Sequence, residues 1–124
     1  MLLSLLLLAD AVGGNCGKAP TQALMNRCAQ QGWQAADAAM TREWRATYAA
    51  MKARDARDKP HGGGFGYAAA ALESQRAWLK LRDTHCVLEG GIYGGGSAQP
   101  LARFSCMERM TNDRAQQLRE LRRN

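Results

Sequence analysis

Apolar side chains recur at helical spacing along residues 21–57, the first long segment of the chain. Pro20 ends any earlier helix, and the hydroxyl of Thr21 is a suitable N-cap. The stripe on one face of this segment consists of Trp33, Asp37, Met40, Trp44, Thr47 and Met51. Asp37 is an acid where the pattern requires an apolar residue, and a buried carboxylate needs a partner.

A second helix is predicted over residues 67–88. Its inward face consists of Leu72, Gln75, Leu79, Arg82 and Cys86, and Trp78, Leu81 and Leu88 are predicted to widen this face. Arg82 is a charge within an otherwise apolar face, as Asp37 is in the first helix. We predict that Arg82 or Arg76 pairs with Asp37, and that this pair specifies the packing more than it adds stability. The polar network predicted inside the bundle consists of Asp37, Gln75, Arg76, Arg82, Asp83 and Arg114.

The last helix is predicted to begin at Ser105, because Glu108 three residues later completes a capping box. Its inward face consists of Met107, Met110, Thr111, Arg114, Leu118 and Leu121. No internal repeat or second domain is evident. The predicted architecture is all-α: a small disulfide-stapled three-helix bundle, in which a long helical hairpin packs against a C-terminal helix.

Two Gly-rich segments separate the predicted helices. Residues 52–66 change from a charged helix to a Pro/Gly break, whose second half is predicted to be a mobile loop. Residues 89–102 are predicted to form a loop with two roles left open. It is either a tight chain reversal or a protruding recognition loop with Ile92 and Tyr93 as apolar anchors. The candidate partner-binding residues are Ile92, Tyr93, Gly94, Gly95, Gly96 and Ser97.

Residues 1–11 are a Leu-rich run that ends in an A-x-A-like site, which is typical of a signal peptide. The run is too short to span a bilayer. No Lys or Arg precedes it, so the true start of translation stays open, and a core-facing N-terminal helix is the alternative interpretation. We expect residues 12–124 to form a single exported domain, periplasmic or secreted, without stable membrane insertion.

The chain contains four cysteines, and an even number in a small exported protein indicates two disulfides. Their spacings are much wider than the C-x-x-C pairs of structural zinc sites, which argues against a metal. On the predicted map Cys86 ends the second helix and Cys106 begins the third, whereas Cys16 and Cys28 lie near the start of the first. This favours the pairs Cys16–Cys28 and Cys86–Cys106, although four cysteines allow three connectivities.

Lys and Arg number 17 and Asp and Glu number 11, a formal net charge of +6. This excess supports solubility and also favours an anionic partner, such as a cell-wall polymer or an acidic protein surface. Nucleic acid is not an expected partner of an exported chain. His61, His85 and Ser97 lack the surroundings of a catalytic acid, base or nucleophile. We therefore expect a binding protein with no catalytic or metal site and no cofactor.

One run of residues is distinctive: Gln75-Arg76-Ala77-Trp78-Leu79-x-x-Arg82-Asp83-x-x-Cys86. The accompanying positions are Met25-Asn26-x-Cys28-Ala29, Ala36-Asp37, the Gly-Gly-Ser turn at Gly95 to Ser97, and Cys106 followed by Thr111-x-x-Arg114. Together these residues resemble the LprI-type lysozyme-inhibitor family, a group of small exported bacterial proteins. The match extends over roughly residues 16–121.

The resemblance implies export, a helical disulfide fold, and binding and inhibition of a lysozyme or a related peptidoglycan hydrolase. The alternative is a periplasmic or envelope module with no action on lysozyme. Such a module would have an immunity-type or structural role, or would bind anionic cell-wall material.

Overall fold

The computed structural model describes residues 16–58 and 64–123, and this part of the chain forms three α-helices. They are α1 (Gln22–Arg57), α2 (Tyr67–Gly90) and α3 (Gln99–Arg123), so the predicted all-α three-helix bundle is confirmed. Short 3-10 turns precede α1 at Cys16–Lys18 and follow α2 at Gly91–Tyr93. The predicted signal peptide, residues 1–11, and most of the predicted mobile loop lie outside the described residues. Along the described helices, no stretch is long and apolar enough to cross a membrane.

The first two helices begin at different kinds of cap. At α1 the hydroxyl of Thr21 accepts a hydrogen bond from a backbone N–H of the first turn at 3.2 Å, as its position in the sequence predicts. At α2 the N-cap residue is Gly66, which has no side chain to do this. Asp55 in the last turn of α1 accepts instead from the backbone N–H groups of Tyr67 at 2.7 Å and Ala68 at 3.0 Å. The end of α1 therefore caps α2 across the connection.

The third helix begins at Gln99, earlier than the sequence predicts. The predicted capping box of Ser105 and Glu108 is therefore wrong, since both residues lie within α3. Pro100 is the second residue of the helix, where a backbone N–H has no acceptor within the helix in any case. Proline is tolerated there because no hydrogen bond is lost.

Helices α1 and α3 share the largest interface, and α2 packs against both. The apolar interior contains two clusters. One consists of Met40, Ala115 and Leu118, with Trp44 and Trp78 packed against it. The other consists of Cys86, Cys106 and Met107, with Trp33, Phe104 and Met110 packed against it. Met40, Met51 and Met107 are buried, so flexible thioether side chains fill much of this interior.

A buried polar network joins the three helices at Arg82 of α2. Its guanidinium donates to Asp37 of α1 at 3.0 Å and to Thr111 of α3 at 3.3 Å. It also donates to the adjacent Asp83 at 3.0 Å. The carboxylates and the hydroxyl satisfy a charge whose side chain is only 6% exposed. Arg82 is thus the partner of Asp37, whereas Arg76 is exposed on α2 and lies outside this network.

Arg114 of α3, a second buried arginine, is bonded by neutral oxygens. Its Nε donates to Oε1 of Gln75 at 3.0 Å, and its Nη2 donates to the hydroxyl of Ser74 at 3.1 Å. Burial lowers the pKa of Arg114, because desolvation disfavours the charged form. The ring centroid of Trp78 lies 5.8 Å from this guanidinium and 5.2 Å from that of Arg82, so one indole attracts both cations.

The C-terminal half of α3 is bonded to α1 through Glu43 and Thr47. Glu43 forms ion pairs with Arg122 at 2.6 Å and Arg119 at 3.4 Å. The hydrogen bond from Arg122 is the main cause that lowers the pKa of Glu43. Thr47, which is fully buried, donates to the backbone carbonyl of Leu118 at 2.7 Å. These bonds set the register of α3 along α1.

Helices α1 and α3 approach each other closely at Gly32 in the interior of α1. A methyl group on Gly32 would lie 2.6 Å from a carboxylate oxygen of Glu108, so the missing side chain makes room for this acid. Burial raises the pKa of Glu108, because desolvation disfavours the ionised carboxylate. The glycine thus has a packing reason in a helix interior, where it costs about 1 kcal/mol relative to alanine.

We expect Asp37→Asn to lower the free energy of unfolding by about 1 to 2 kcal/mol, because it removes a charged acceptor from the Arg82 guanidinium. Urea unfolding followed by circular dichroism measures this loss. Asp83→Asn is the matched control, because Asp83 bonds the same guanidinium but lies next to it in the chain. We expect the control to cost less than about 0.5 kcal/mol. Equal losses in the two variants would show that the bond from Arg82 to Asp37 on the other helix stabilises the fold no more than its bond to the adjacent Asp83.

We expect Glu108→Gln to stabilise the protein near pH 7 and to have little effect near pH 4. The pKa of Glu108 is raised in the folded state. Its contribution to the free energy of unfolding is therefore most favourable below the unfolded-state pKa and declines as the pH rises through the folded-state pKa. The amide stays neutral, so the gain near pH 7 is about 0.5 kcal/mol or less for this partly exposed group. Thermal melts at both pH values measure it.

The control for the lost negative charge is Glu120→Gln, which changes an exposed acid of the same helix. Stabilisation of Glu108→Gln to the same extent at both pH values would contradict the titration argument.

Candidate functional site

The turn that joins α2 to α3 is held at its base by a disulfide. Cys86 and Cys106 are bonded to each other and fully buried, with their Cα atoms 5.5 Å apart. The other disulfide, Cys16–Cys28, ties the N-terminal 3-10 turn to α1. These are the two pairs that the predicted helix map favours.

The turn itself is shorter than the predicted loop of residues 89–102, because α2 continues to Gly90 and α3 already begins at Gln99. Both helices extend into the glycine-rich segment, since Gly90 and Pro100 are each compatible with a helix end. Residues 91–98 therefore make the whole chain reversal, and we call them the 91–98 turn.

Glycine is favoured at three positions of the 91–98 turn. The backbone N–H of Gly94 donates to the carbonyl of Gly91 at 3.0 Å, and that of Gly96 donates to the carbonyl of Tyr93 at 2.8 Å. A Cβ atom at Gly94 would lie 3.1 Å from the carbonyl oxygen of Gly91, and a Cβ atom at Gly96 would lie 3.1 Å from that of Tyr93. Gly95 has a φ of 76°, in the left-handed region that favours glycine. The glycines therefore form a compact series of hydrogen-bonded turns.

Two side chains fix the turn against the helices. Asn26 of α1 donates from Nδ2 to the backbone carbonyl of Ser97 at 2.9 Å. Gln99 accepts at Oε1 a hydrogen bond from the backbone N–H of Gly95 at 3.3 Å. Asn26 belongs to the residues that carry the family resemblance, and here it docks the turn onto α1.

The two candidate anchors of the turn point to solvent. Ile92 is 78% exposed and Tyr93 is 52% exposed. Val87 and Leu88, at the end of α2, are exposed as well. An exposed apolar group on a disulfide-held turn suits contact with another protein, because little conformational freedom is lost on binding. The predicted recognition role of residues 92–97 stays a prediction.

The polar groups beside the turn are paired with each other. Arg109 donates to both carboxylate oxygens of Glu89, at 2.7 and 2.9 Å, and this lowers the pKa of Glu89. Nε2 of His85 lies 3.1 Å from the same carboxylate. His85, Glu89 and Cys106 lie close enough to suggest a metal site, with their ligand atoms within 4.8 Å of one another. The sulfur of Cys106 is in a disulfide and Arg109 neutralises Glu89, so the group does not fit a cation.

In the described part of the chain, His85 bonds the carboxylate of Glu89 and no nucleophile. His61 lies outside the described residues. Ser97 is exposed, and its backbone carbonyl, not its hydroxyl, carries the bond to Asn26. The arrangement can present a rigid surface, on which the carboxylate of Glu89 is shared between Arg109 and His85.

Sequence reasoning did not find three of the residues that hold this architecture. Asp55 caps α2, Glu43 pairs with the arginines of α3, and Gly32 admits Glu108. A glycine at the expected N-cap position of α2 was the available signal for Asp55, because an acceptor had to come from elsewhere. Glu43 had no signal of its own, because charged residues on a helix face are ordinarily solvated.

A protein family and a known protein match this chain in sequence. The family model described as "Lysozyme inhibitor LprI" matches residues 14–118. A protein of Rhizobium meliloti (strain 1021), itself described as uncharacterized, is 37% identical over 108 residues, which cover 86% of this chain and 78% of the relative. No solved structure matches the chain. The family match covers most of the chain, including both disulfides and the 91–98 turn, and the chain therefore belongs to the LprI lysozyme inhibitor family.

Proposed function

We propose that this protein is exported and binds a lysozyme or a related peptidoglycan hydrolase, blocking it with the 91–98 turn. The exposure of Ile92 and Tyr93 on a disulfide-held turn is the observation that carries the proposal. Membership of a family of lysozyme inhibitors supports the class of partner. Two disulfides support an oxidising compartment, because such bonds rarely persist in the cytosol.

Shape and charge support insertion into a substrate cleft. Glycoside hydrolases of this kind carry two catalytic carboxylates in an open cleft. The chain has a formal charge of +6. Arg103 is exposed and lies close to the base of the turn, because a Cβ atom added to Gly90, the residue before the turn, would be 3.3 Å from the Cβ atom of Arg103. A narrow turn with two apolar anchors and a nearby cation complements an apolar cleft with an acidic floor.

Preorganisation supports tight binding by so small a surface. The turn is bonded at its base by Cys86–Cys106, at its side by Asn26, and internally by its own backbone. Its two anchors are therefore ordered before the partner arrives, and the entropy cost of association falls mainly on the partner and on a few rotamers.

A cell-wall lysis assay tests the function directly. The oxidised protein is titrated against lysozymes of several structural types, and we expect stoichiometric inhibition of at least one that persists in moderate salt. A wall-polymer or other polyanion binder would instead bind wall material and lose affinity steeply with added salt. Absence of inhibition for every lysozyme and hydrolase tested would contradict the proposal.

Substitution of the anchors tests the role of the turn. We expect Ile92→Ser and Tyr93→Ser each to raise the inhibition constant about 30-fold, the loss of about 2 kcal/mol typical of an interface anchor. The control is Phe65→Ser, because Phe65 is 73% exposed and precedes α2, whereas the turn follows α2. The same loss in the control, or none in either turn variant, would place the binding surface elsewhere.

A further inference from the structure

The outward face of α2 carries exposed apolar residues where a bundle helix is ordinarily polar. The buried residues of the helix, Gln75, Arg82 and Cys86, mark the side that faces the bundle. The opposite side carries Ala70, Ala77, Leu81, Thr84 and Leu88, all of them exposed. Leu81 is 56% exposed and Leu88 is 74% exposed, so neither widens the inward face as the sequence predicts. We call these five residues the α2 seam.

The spacing of the α2 seam is that of a helix–helix interface. Its members lie seven, four, three and four residues apart, which fits the contact positions of a coiled coil. The seam spans about 27 Å of helix. Alanines at positions 70 and 77 let a second backbone approach closely, while Leu81 and Leu88 supply side chains that pack into the partner. Among the described residues, α1 and α3 pack on the other side of α2 and leave this face uncovered.

Two charged side chains beside the seam, one acidic and one basic, indicate which surface would complement it. Glu73 and Lys80 are exposed on the same edge of the seam, seven residues apart, and neither forms an ion pair among the described residues. A second α2 running antiparallel places Glu73 of each copy against Lys80 of the other. In a parallel pair these edges lie on opposite sides of the seam, and the two charges do not meet. The charge pattern is therefore complementary to itself in the antiparallel orientation only.

The ends of the helix fit the same orientation. In an antiparallel pair centred near Ala77, Leu88 of one copy lies beside the start of α2 in the other. Phe65 is 73% exposed there and packs on Tyr67 with ring centroids 5.0 Å apart. Exposed apolar side chains at both ends of α2 would thus cover one another. We propose that the α2 seam is the interface of an antiparallel homodimer of this chain.

Sedimentation equilibrium of the full oxidised chain tests the dimer without any lysozyme, so its result is independent of the proposed function. We expect the mass to rise toward twice the chain mass with concentration, and Leu81→Glu/Leu88→Glu to remain monomeric throughout. Leu121 is predicted to face inward but is 44% exposed in the structure. Leu24→Glu/Leu121→Glu therefore adds the same charges at exposed leucines of α1 and α3 and should leave association unchanged. Circular dichroism establishes that every variant keeps its helix content, as expected for exposed positions.

Charge reversal tests the orientation. We expect Glu73→Lys alone and Lys80→Glu alone to raise the dimer dissociation constant about tenfold, because each places like charges together twice. The double variant E73K/K80E restores both attractions and should return the constant to near its original value. A protein that is monomeric at every concentration, a dimer unaffected by Leu81→Glu/Leu88→Glu, or a double variant as weak as the single ones would overturn the proposal.

Discussion

The buried guanidinium of Arg82 is the contact on which the arrangement of the three helices depends. It lies on α2 and bonds Asp37 of α1 and Thr111 of α3, so all three helices must be in place before its charge is satisfied. Leaving that charge unpaired would cost several kcal/mol, which disfavours any packing that rotates or slides one helix. Arg114 applies a similar constraint through Gln75, whose amide also donates to the sulfur of Met40 at 3.2 Å. The polar network thus selects one packing in an interior of small and flexible apolar side chains, which alone would specify it poorly.

The residues that carry the family resemblance acquire a physical meaning in this network. In the run from Gln75 to Cys86, Gln75 bonds Arg114 and Trp78 packs on the guanidinium of Arg82. Cys86 forms the disulfide. The run therefore describes how this fold is held together. The exposed residues Ile92 and Tyr93, which we propose as anchors, lie outside it, so they can change while the bundle stays the same.

The fold could be predicted where a sequence pattern was compatible with a single local structure. Helical periodicity together with Thr21 located α1, and the two charges within apolar faces, Asp37 and Arg82, indicated a pair between helices. The start of α3 could not be predicted in this way, because the capping pattern of Ser105 and Glu108 competed with a proline that a first turn tolerates. The hydrogen bond of Thr47 and the close approach at Gly32 depend on the register between helices, and a single sequence contains no direct signal for register. For the 91–98 turn, the sequence left a chain reversal and a protruding recognition loop open, because the exposure of Ile92 and Tyr93 is a property of the folded chain.

The methionines of the interior have a consequence for the chemistry of the folded protein. Met40, Met51 and Met107 are each at most 4% exposed, so an oxidant in solution reaches their thioethers only when the bundle opens. A sulfoxide formed in that open state is polar and no longer fits the interior, and it would hinder refolding. The resistance of these three thioethers to oxidation is therefore set by the free energy of opening and not by the reactivity of the sulfur atoms. Every bond that keeps the helices together therefore also slows the oxidation of these buried methionines.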